Sequence, residues 1–373
     1  MDDNTLQPTF DSIEIRRPAL ARAYLDLLAT QPGRPLALFA PRRVGKTFFL
    51  DRDLMPAATE TGVLPVYADL WLYRTDPLGA INHALEEALD AAAVPKGAAG
   101  KLAATPVKSV TLLGAGVSLG DAPRQRDLPD IPELRLDTLV VRLAAQTGRK
   151  ILLLLDEVQT LADFPSDLIA TLRAVLHKRK DQVSAVFTGS SQEGLARLTM
   201  TSGAPMYQFT QLITFPVLGD EYLSHLILHF ASIHAGKHPD MEALRVLFAR
   251  LGYKPALLRD IVKSMSAEGM TDVDLGLMNY LSDDRQTSGW NGLLSPLDHV
   301  ERMVLTAIGQ GLPPLGKSTI QTLSDKTRTR VTVAKVRSTI EKLRKMGILS
   351  NTGNAITIDD PLFAEFVKRG HQG

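Results

Sequence analysis

The chain has 373 residues, of which 45% are apolar and 22% charged, a profile that excludes a fibrous, collagen-like or wholly disordered polypeptide. A single core stops growing at roughly 250–300 residues, so two or three domains are expected. Cysteine is absent, which excludes disulfide staples, thiolate zinc sites and cysteine nucleophiles, and the formal charge of +1 argues, as an average, against nucleic acid as a partner.

The N-terminal Met1-Asp2-Asp3-Asn4 is acidic and no apolar run follows it, so no secretory signal is expected. No apolar run exceeds the length of Ile151–Leu155, far short of the ~20 residues of a membrane helix, and the expectation is a cytoplasmic protein without a membrane partner. Pro18–Thr30 has Leu20, Tyr24, Leu25, Leu27 and Leu28 at helical spacing. Short apolar strands are predicted at Leu36–Phe39, Val66–Leu70, Ile151–Leu155, Ala185–Thr188 and Leu212–Phe215. Helical stretches separate them, the pattern of an α/β fold around a buried parallel sheet. Between about residues 95 and 132 the chain turns rich in Pro, Gly and Ala, and Ser109–Ser118 alternates like a hairpin inside an insertion. From Gly219 to about Asp284 the periodicity is helical, with starts near Asp220, Asp240, Lys254 and Asp272, which suggests a small helical lid. Asn291 to Pro296 reads as a linker before a final unit of about 75 residues.

The strongest chemical signal is Ala40-Pro41-Arg42-Arg43-Val44-Gly45-Lys46-Thr47, between the strand Leu36–Phe39 and the apolar Phe48-Phe49-Leu50. It is a Walker A loop. Small residues at its bends let backbone N–H groups converge on phosphates at a helix N-terminus; Lys46 reaches the β and γ oxygens and Thr47 ligates Mg²⁺. Ala40 through Phe48 are therefore the expected ATP-binding residues. Ala40 stands where the pattern has its first glycine, which is tolerable only if the backbone there is not left-handed.

Ile151–Leu155 followed by Asp156-Glu157 is an apolar strand ending in two carboxylates, a Walker B arrangement. Asp156 is the second expected Mg²⁺ residue and Glu157 the expected general base for the attacking water. The strand Ala185–Thr188 runs into Gly189-Ser190-Ser191, where Ser190 or Ser191 is placed to hydrogen-bond the γ-phosphate or the water, and the same hydroxyl residues serve equally as a cap for the helical stretch from Gln192. The eight histidines form no metal-binding pair, and His225 and His229, four apart, read as packing or surface residues.

Together these residues resemble the archaeal-type ATPases of the AAA+/STAND branch of P-loop NTPases, related to origin-recognition ATPases. The resemblance rests on Ala40–Thr47, Asp156-Glu157-Val158-Gln159, Thr188–Ser191, Ala204–Tyr207, Phe215–Glu221, Gly252–Pro255 and Ile358–Phe363, and so covers nearly the whole chain. It implies a parallel-sheet ATPase core over 1–218, a helical lid over 219–290 and a winged helix-turn-helix over 298–373. It also implies ATP and Mg²⁺ as cofactors and Arg259 as a lid residue touching the nucleotide. Arg179 is the family-like candidate for an arginine acting in trans, although a cation at a helix end is also simply favourable with the dipole. Gln208-Phe209 departs from the Gly-Arg that the family commonly carries after the tyrosine corresponding to Tyr207.

The average charge conceals an asymmetry: from Asp298 onward there are twelve Lys/Arg against seven Asp/Glu, a balance of +5, which leaves −4 on the remainder. Val300–Ile308 makes one helix of this unit and Ser318–Leu323 a second. Val333, Val336, Ile340 and Leu343 mark the buried stripe of a third, ended by Gly347, and Ile348-Leu349 with Ile356–Ile358 form a wing hairpin around residues 351–354. In such a fold the third helix faces the DNA major groove, here with Arg330, Thr332, Lys335, Thr339 and Lys342, and Lys326 and Arg328 lie near phosphates; Arg337 joins the basic set. Double-stranded DNA is the expected partner, together with self-association or a protein partner. The alternative is a slow-turnover, ATP-gated scaffold whose winged helix binds protein.

Overall fold

The computed structural model describes residues 9–93, 128–189, 197–199, 203–352 and 355–369; the expected hairpin at 109–118 and Ser190 lie outside them. The chain divides into two compact units, one of Arg16–Pro216 and one that joins the N-terminal residues to Val217–Gly373.

In the first unit the elements run α1 (Pro18–Thr30), β1 (Leu36–Phe39), α2 (Lys46–Phe49), α3 (Met55–Glu60), β2 (Leu64–Asp69), α4 (Pro77–Ala93), α5 (Pro132–Thr147), β3 (Ile151–Asp156), α6 (Ser166–Lys178), β4 (Val183–Gly189) and β5 (Gln211–Thr214). The five strands form one sheet in the order β2-β3-β4-β1-β5, with every pairing parallel. Helices on both faces explain why these strands read as unbroken apolar runs. Successive side chains still alternate between faces. Leu36, Leu38, Leu152, Leu154 and Val186 join the core beneath α1, α2 and α3. Ala37, Leu153, Leu155, Ala185 and Phe187 join the opposite core with residues of α4, α5 and α6.

The helix beginning at Lys46 continues from α2 through a π-turn at Leu50–Leu54 into α3. Pro56 explains the turn. It has no N–H to offer the carbonyl of Arg52, four positions earlier, and its ring crowds that carbonyl. Arg16 supplies the missing donor: its Nη2 donates to the Arg52 carbonyl and its Nε to Asp53 Oδ1 at 2.8 Å.

The second unit contains α7 (Asp220–Ile233), α8 (Met241–Arg250), α9 (Pro255–Ala267), α10 (Val273–Ser282), α11 (Asp284–Leu294), α12 (His299–Gly309), α13 (Lys317–Thr327), α14 (Val333–Lys345), the antiparallel pair β6 (Leu349–Thr352) and β7 (Ala355–Ile358), and α15 (Pro361–Lys368). The aspartates expected at helix starts are caps: Asp240 accepts from the Ala243 amide at 2.8 Å and Asp272 from the Leu275 amide at 2.9 Å. Two apolar cores lie in this unit, one under α7–α10 and one under α12–α15.

Three boundaries differ from expectation. Thr9–Ile15 belongs with the second unit rather than with the parallel-sheet unit, because Phe10 and Ile15 are buried in the α7–α10 core. The expected linker from Asn291 is still helical as far as Leu294, and Trp290 of that helix packs against both cores. Finally, α15 was not expected; Asp360 caps it through the amides of Leu362 and Phe363, and Pro361 occupies its first turn.

Candidate functional site

The site lies at the C-terminal ends of β1, β3 and β4. After Phe39 the chain turns through residues 40–45 into the helix at Lys46. The left-handed positions of this loop are Arg43 (φ 66°) and Gly45 (φ 93°); Ala40 is not among the left-handed residues, so an alanine serves there without strain. A Cβ at Gly45 would meet no atom within 4 Å, so backbone conformation rather than space calls for glycine there.

Lys46 is 6% exposed and folds back over its own loop, donating to the carbonyls of Ala40 at 2.6 Å and Pro41 at 2.8 Å. Burial pushes its ammonium down to about 8, while the carboxylates of Glu157 and Asp156 favour the charged form. A buried cation hydrogen-bonded, among the described residues, to neutral carbonyls is poised for an anion such as a phosphate.

Thr47 Oγ1 donates to Asp156 Oδ2 at 2.9 Å. This meeting follows from alternation: Asp156 continues the face of Leu152 and Leu154, and Thr188 continues that of Val186, so both point toward the side carrying Lys46 and Thr47. Tyr67 pairs in register with Leu154 and shares that face. The Asp156 carboxylate consequently accepts from four donors. Oδ2 takes Thr47 and, at 3.2 Å, the Tyr67 hydroxyl; Oδ1 takes Thr188 Oγ1 and, at 2.9 Å, the Glu157 amide. Burial and the neighbouring Asp156 and Asp69 carboxylates raise the Tyr67 phenol far above its ordinary range, so it stays a neutral donor. Asp69, in register with Asp156, is itself raised by burial.

Glu157 leaves the strand in a left-handed conformation (φ 55°, ψ 42°), a sharp turn between β3 and the short helical turn that follows. Its carboxylate accepts from Gln159 Nε2. The hard oxygens of Thr47 and Asp156 fit Mg²⁺, which is usually bound by one or two protein oxygens together with substrate phosphates.

Other expected residues stand elsewhere. Ser190 is outside the described residues. Arg179 forms a two-point pair with Asp137 at 2.7 and 2.8 Å, and that pair, joined by Lys178, holds the Asp137 carboxyl at about 2. Arg259 belongs to the second unit, where it faces Asp11 at 3.6 Å and Asp260 at 3.9 Å. His229 packs edge-on against Phe10, with ring centroids 4.3 Å apart.

In the C-terminal helices the expected outward face is corrected. Lys335 donates to Asp298 at 2.8 Å and Lys342 to Glu301 at 2.6 Å, both within a capping box at the start of α12. Thr339 is 1% exposed. The reason is helical phase: 335, 339 and 342 border the buried stripe of Val336, Ile340 and Leu343, so that side packs on α12. The solvent side carries Arg337, Ser338, Glu341, Arg344 and Lys345, and Arg328 and Arg330 are exposed in the preceding turn.

Sequence reasoning missed Tyr67 and the contact of Thr188 with Asp156. Period-two alternation already placed Thr188; Tyr67 required knowing that β2 lies beside β3.

No protein-family model and no curated protein matches the sequence. Among solved structures, a Walker-type ATPase of Pyrococcus abyssi is similar at 17% identity, covering 97% of this chain and 99% of that one with a TM-score of 0.55. In the sheet order, β4 stands between the Walker A strand β1 and the Walker B strand β3, which is the arrangement of additional-strand P-loop ATPases. The fold is that of a Walker-type ATPase. Looser overlaps of this Walker-type fold are with the ORC2 protein of Aeropyrum pernix in its ADPNP-ADP complexes (15% identity, 99% and 96% covered, TM-score 0.49) and the ORC1 protein of the same organism in complex with DNA (16%, 98% and 95%, TM-score 0.42). Among the described residues no helix is long and apolar enough to cross a membrane.

Proposed function

We propose that this chain is an ATP-binding and ATP-hydrolysing switch of the AAA+/STAND type, in which nucleotide state governs self-association and double-stranded DNA binding by the C-terminal helices. One observation carries the ATPase reading: Thr47 and Asp156, from the two motifs, meet at 2.9 Å beside a buried lysine. Backbone amides of residues 42–47 and the Lys46 ammonium bind the β and γ phosphates, and Thr47 and Asp156 hold Mg²⁺. When bound, Mg²⁺ neutralises charge that develops on the phosphate oxygens. Glu157 accepts a proton from the attacking water as its oxygen bonds to the γ-phosphorus; the bond from that phosphorus to the bridging oxygen breaks, and ADP leaves with the electron pair.

The DNA reading is supported by the +5 balance of the C-terminal residues and by exposed Arg328, Arg330 and Arg337. The engagement of Lys335 and Lys342 by Asp298 and Glu301 favours the second reading, an ATP-gated scaffold that binds protein through the same helices. ATP turnover with and without double-stranded DNA, followed as protein concentration rises, tests both. Stimulation by DNA and a rise in specific activity with concentration are expected for the switch. Slow turnover indifferent to DNA would favour the scaffold, and absence of nucleotide binding would overturn both.

A further inference from the structure

Tyr67 stands at the expected metal residue without being part of either Walker motif. Its hydroxyl donates to Asp156 Oδ2, the same oxygen that accepts from Thr47. The other oxygen, Oδ1, is held by Thr188 and by the Glu157 amide. An ionised carboxylate offers about four lone-pair sites, so the four donors saturate it. If the Thr47 hydroxyl turns to a cation, Oδ1 keeps both donors. Oδ2 keeps Tyr67 alone among the described residues, and one lone pair on that oxygen is freed.

We propose that Tyr67 is a positioning residue for Mg²⁺: its hydroxyl holds the Asp156 carboxylate in one orientation after Thr47 has let go, so that the freed lone pair of Oδ2 is aimed at the cation. The assignment rests on the ATPase reading above. It follows from register rather than motif, because Tyr67 lies opposite Leu154, two residues before Asp156 and on the same face of the sheet. The ring itself packs against the core beneath α1–α3, and a phenylalanine keeps that packing while removing only the hydroxyl. Partners that orient a metal's carboxylate or histidine ligands typically contribute about 10–100-fold in metal affinity or activity.

The test is a Mg²⁺ titration of fluorescent ATP-analogue binding to the full chain and to Tyr67→Phe, with binding in EDTA measured alongside. Tyr67→Phe should bind the analogue in EDTA with wild-type affinity and require about tenfold more Mg²⁺ to reach the tightly bound state. A merely structural role would weaken binding in EDTA as well. An unchanged Mg²⁺ midpoint in Tyr67→Phe, with a clear Mg²⁺ dependence in the wild type, overturns the Tyr67 assignment alone. A wild-type chain that shows no Mg²⁺-dependent nucleotide binding overturns the ATPase reading and the assignment with it. A second measurement keeps the hydroxyl: with 3-fluorotyrosine placed at Tyr67, Mg²⁺ added to the nucleotide-bound chain should shift the fluorine resonance, and a resonance that ignores Mg²⁺ overturns the proposal should Tyr67→Phe fail to fold.

Discussion

Thr47 and Asp156 are separated by 109 positions in the chain and by 2.9 Å in the fold. A hydroxyl that would otherwise point into solvent is tied to a carboxylate that is 4% exposed, so the two groups suited to hold a cation already share one place before any cation arrives.

Replacing Glu157 by Gln keeps the size of the side chain and removes its capacity to take a proton. Nucleotide affinity should remain close to wild type while turnover falls about 10²-fold or more. Lys46→Ala should instead abolish nucleotide binding. Equilibrium binding and steady-state phosphate release on the two variants distinguish these outcomes, and full turnover by either would contradict the site.

Lys46 gives the free protein a pH signature. Its ammonium titrates at about 8, below the ordinary lysine value, because it is buried. Phosphate binding favours the charged form, so ATP binding at pH 8 should take up about half a proton, rising toward one at higher pH, and affinity should weaken by up to about tenfold for each pH unit above 8. Calorimetric titrations in buffers of different ionisation enthalpy measure that uptake directly; a proton balance of zero at pH 8 would remove Lys46 from the phosphate site.

Arg16 and Asp53 yield a stability prediction. The Asp53 side chain is wholly buried, its Oδ2 has no hydrogen-bond partner among the described residues, and Arg16 donates to its Oδ1. Arg16→Ala strands that carboxylate and also releases the Arg52 carbonyl, at a cost of about 1–3 kcal/mol. Urea unfolding should show the loss as a lower midpoint without a change in slope.

On the C-terminal helices, Arg330→Ala and Arg337→Ala should each weaken double-stranded DNA binding evenly across sequences and lower the salt slope by about 1. Lys335→Ala should leave DNA affinity unchanged, because that ammonium is occupied by Asp298, and should cost at most about 1 kcal/mol in stability. Fluorescence anisotropy between 50 and 200 mM salt, a range of about the size over which such contacts are lost, reads both effects.

Asp137 makes the core sensitive to acid. Hydrogen bonds from Arg179 and Lys178 hold its carboxyl at about 2, below the ordinary value of 3.8. A depressed carboxyl contributes stability that is present above the ordinary value and lost as pH falls through the folded one, here between about 4 and 2. Asp137→Asn should lower stability at pH 6 and flatten its decline over that window, as chemical unfolding at each pH will show.

Much of the site was legible because chemistry at the ends of strands is tied to spacing. The Walker A loop, Asp156 and Glu157 stand where an apolar run stops, and helix starts at Asp240 and Asp272 fell on the capping residues themselves. Tyr67 was not legible: strand order is a property of the folded sheet, and nothing local says that Tyr67 lies opposite Leu154. The engagement of Lys335 and Lys342 by the start of α12 is different in kind. The stripe Val336, Ile340 and Leu343 already implied it, since residues bordering a buried stripe meet the neighbouring helix, and counting charges without tracking their phase hid that. The π-turn at Leu50–Leu54 lies between the two, traceable to Pro56 only once the Arg52 carbonyl is seen to take its hydrogen bond from Arg16.

The placement of Thr9–Ile15 bears on how the molecule can be cut apart. Phe10 and Ile15 fill the α7–α10 core, and Asp11 binds Lys263 at 2.5 Å, yet the chain runs through about two hundred residues of the first unit, Arg16–Pro216, before it returns to that core at Val217. A fragment begun at Val217 to isolate the helical half would lack two of its own buried side chains and the carboxylate that answers Arg259 and Lys263. Supplying residues 9–15 as a separate peptide should restore it, which makes the two halves of this protein a natural pair for complementation in trans.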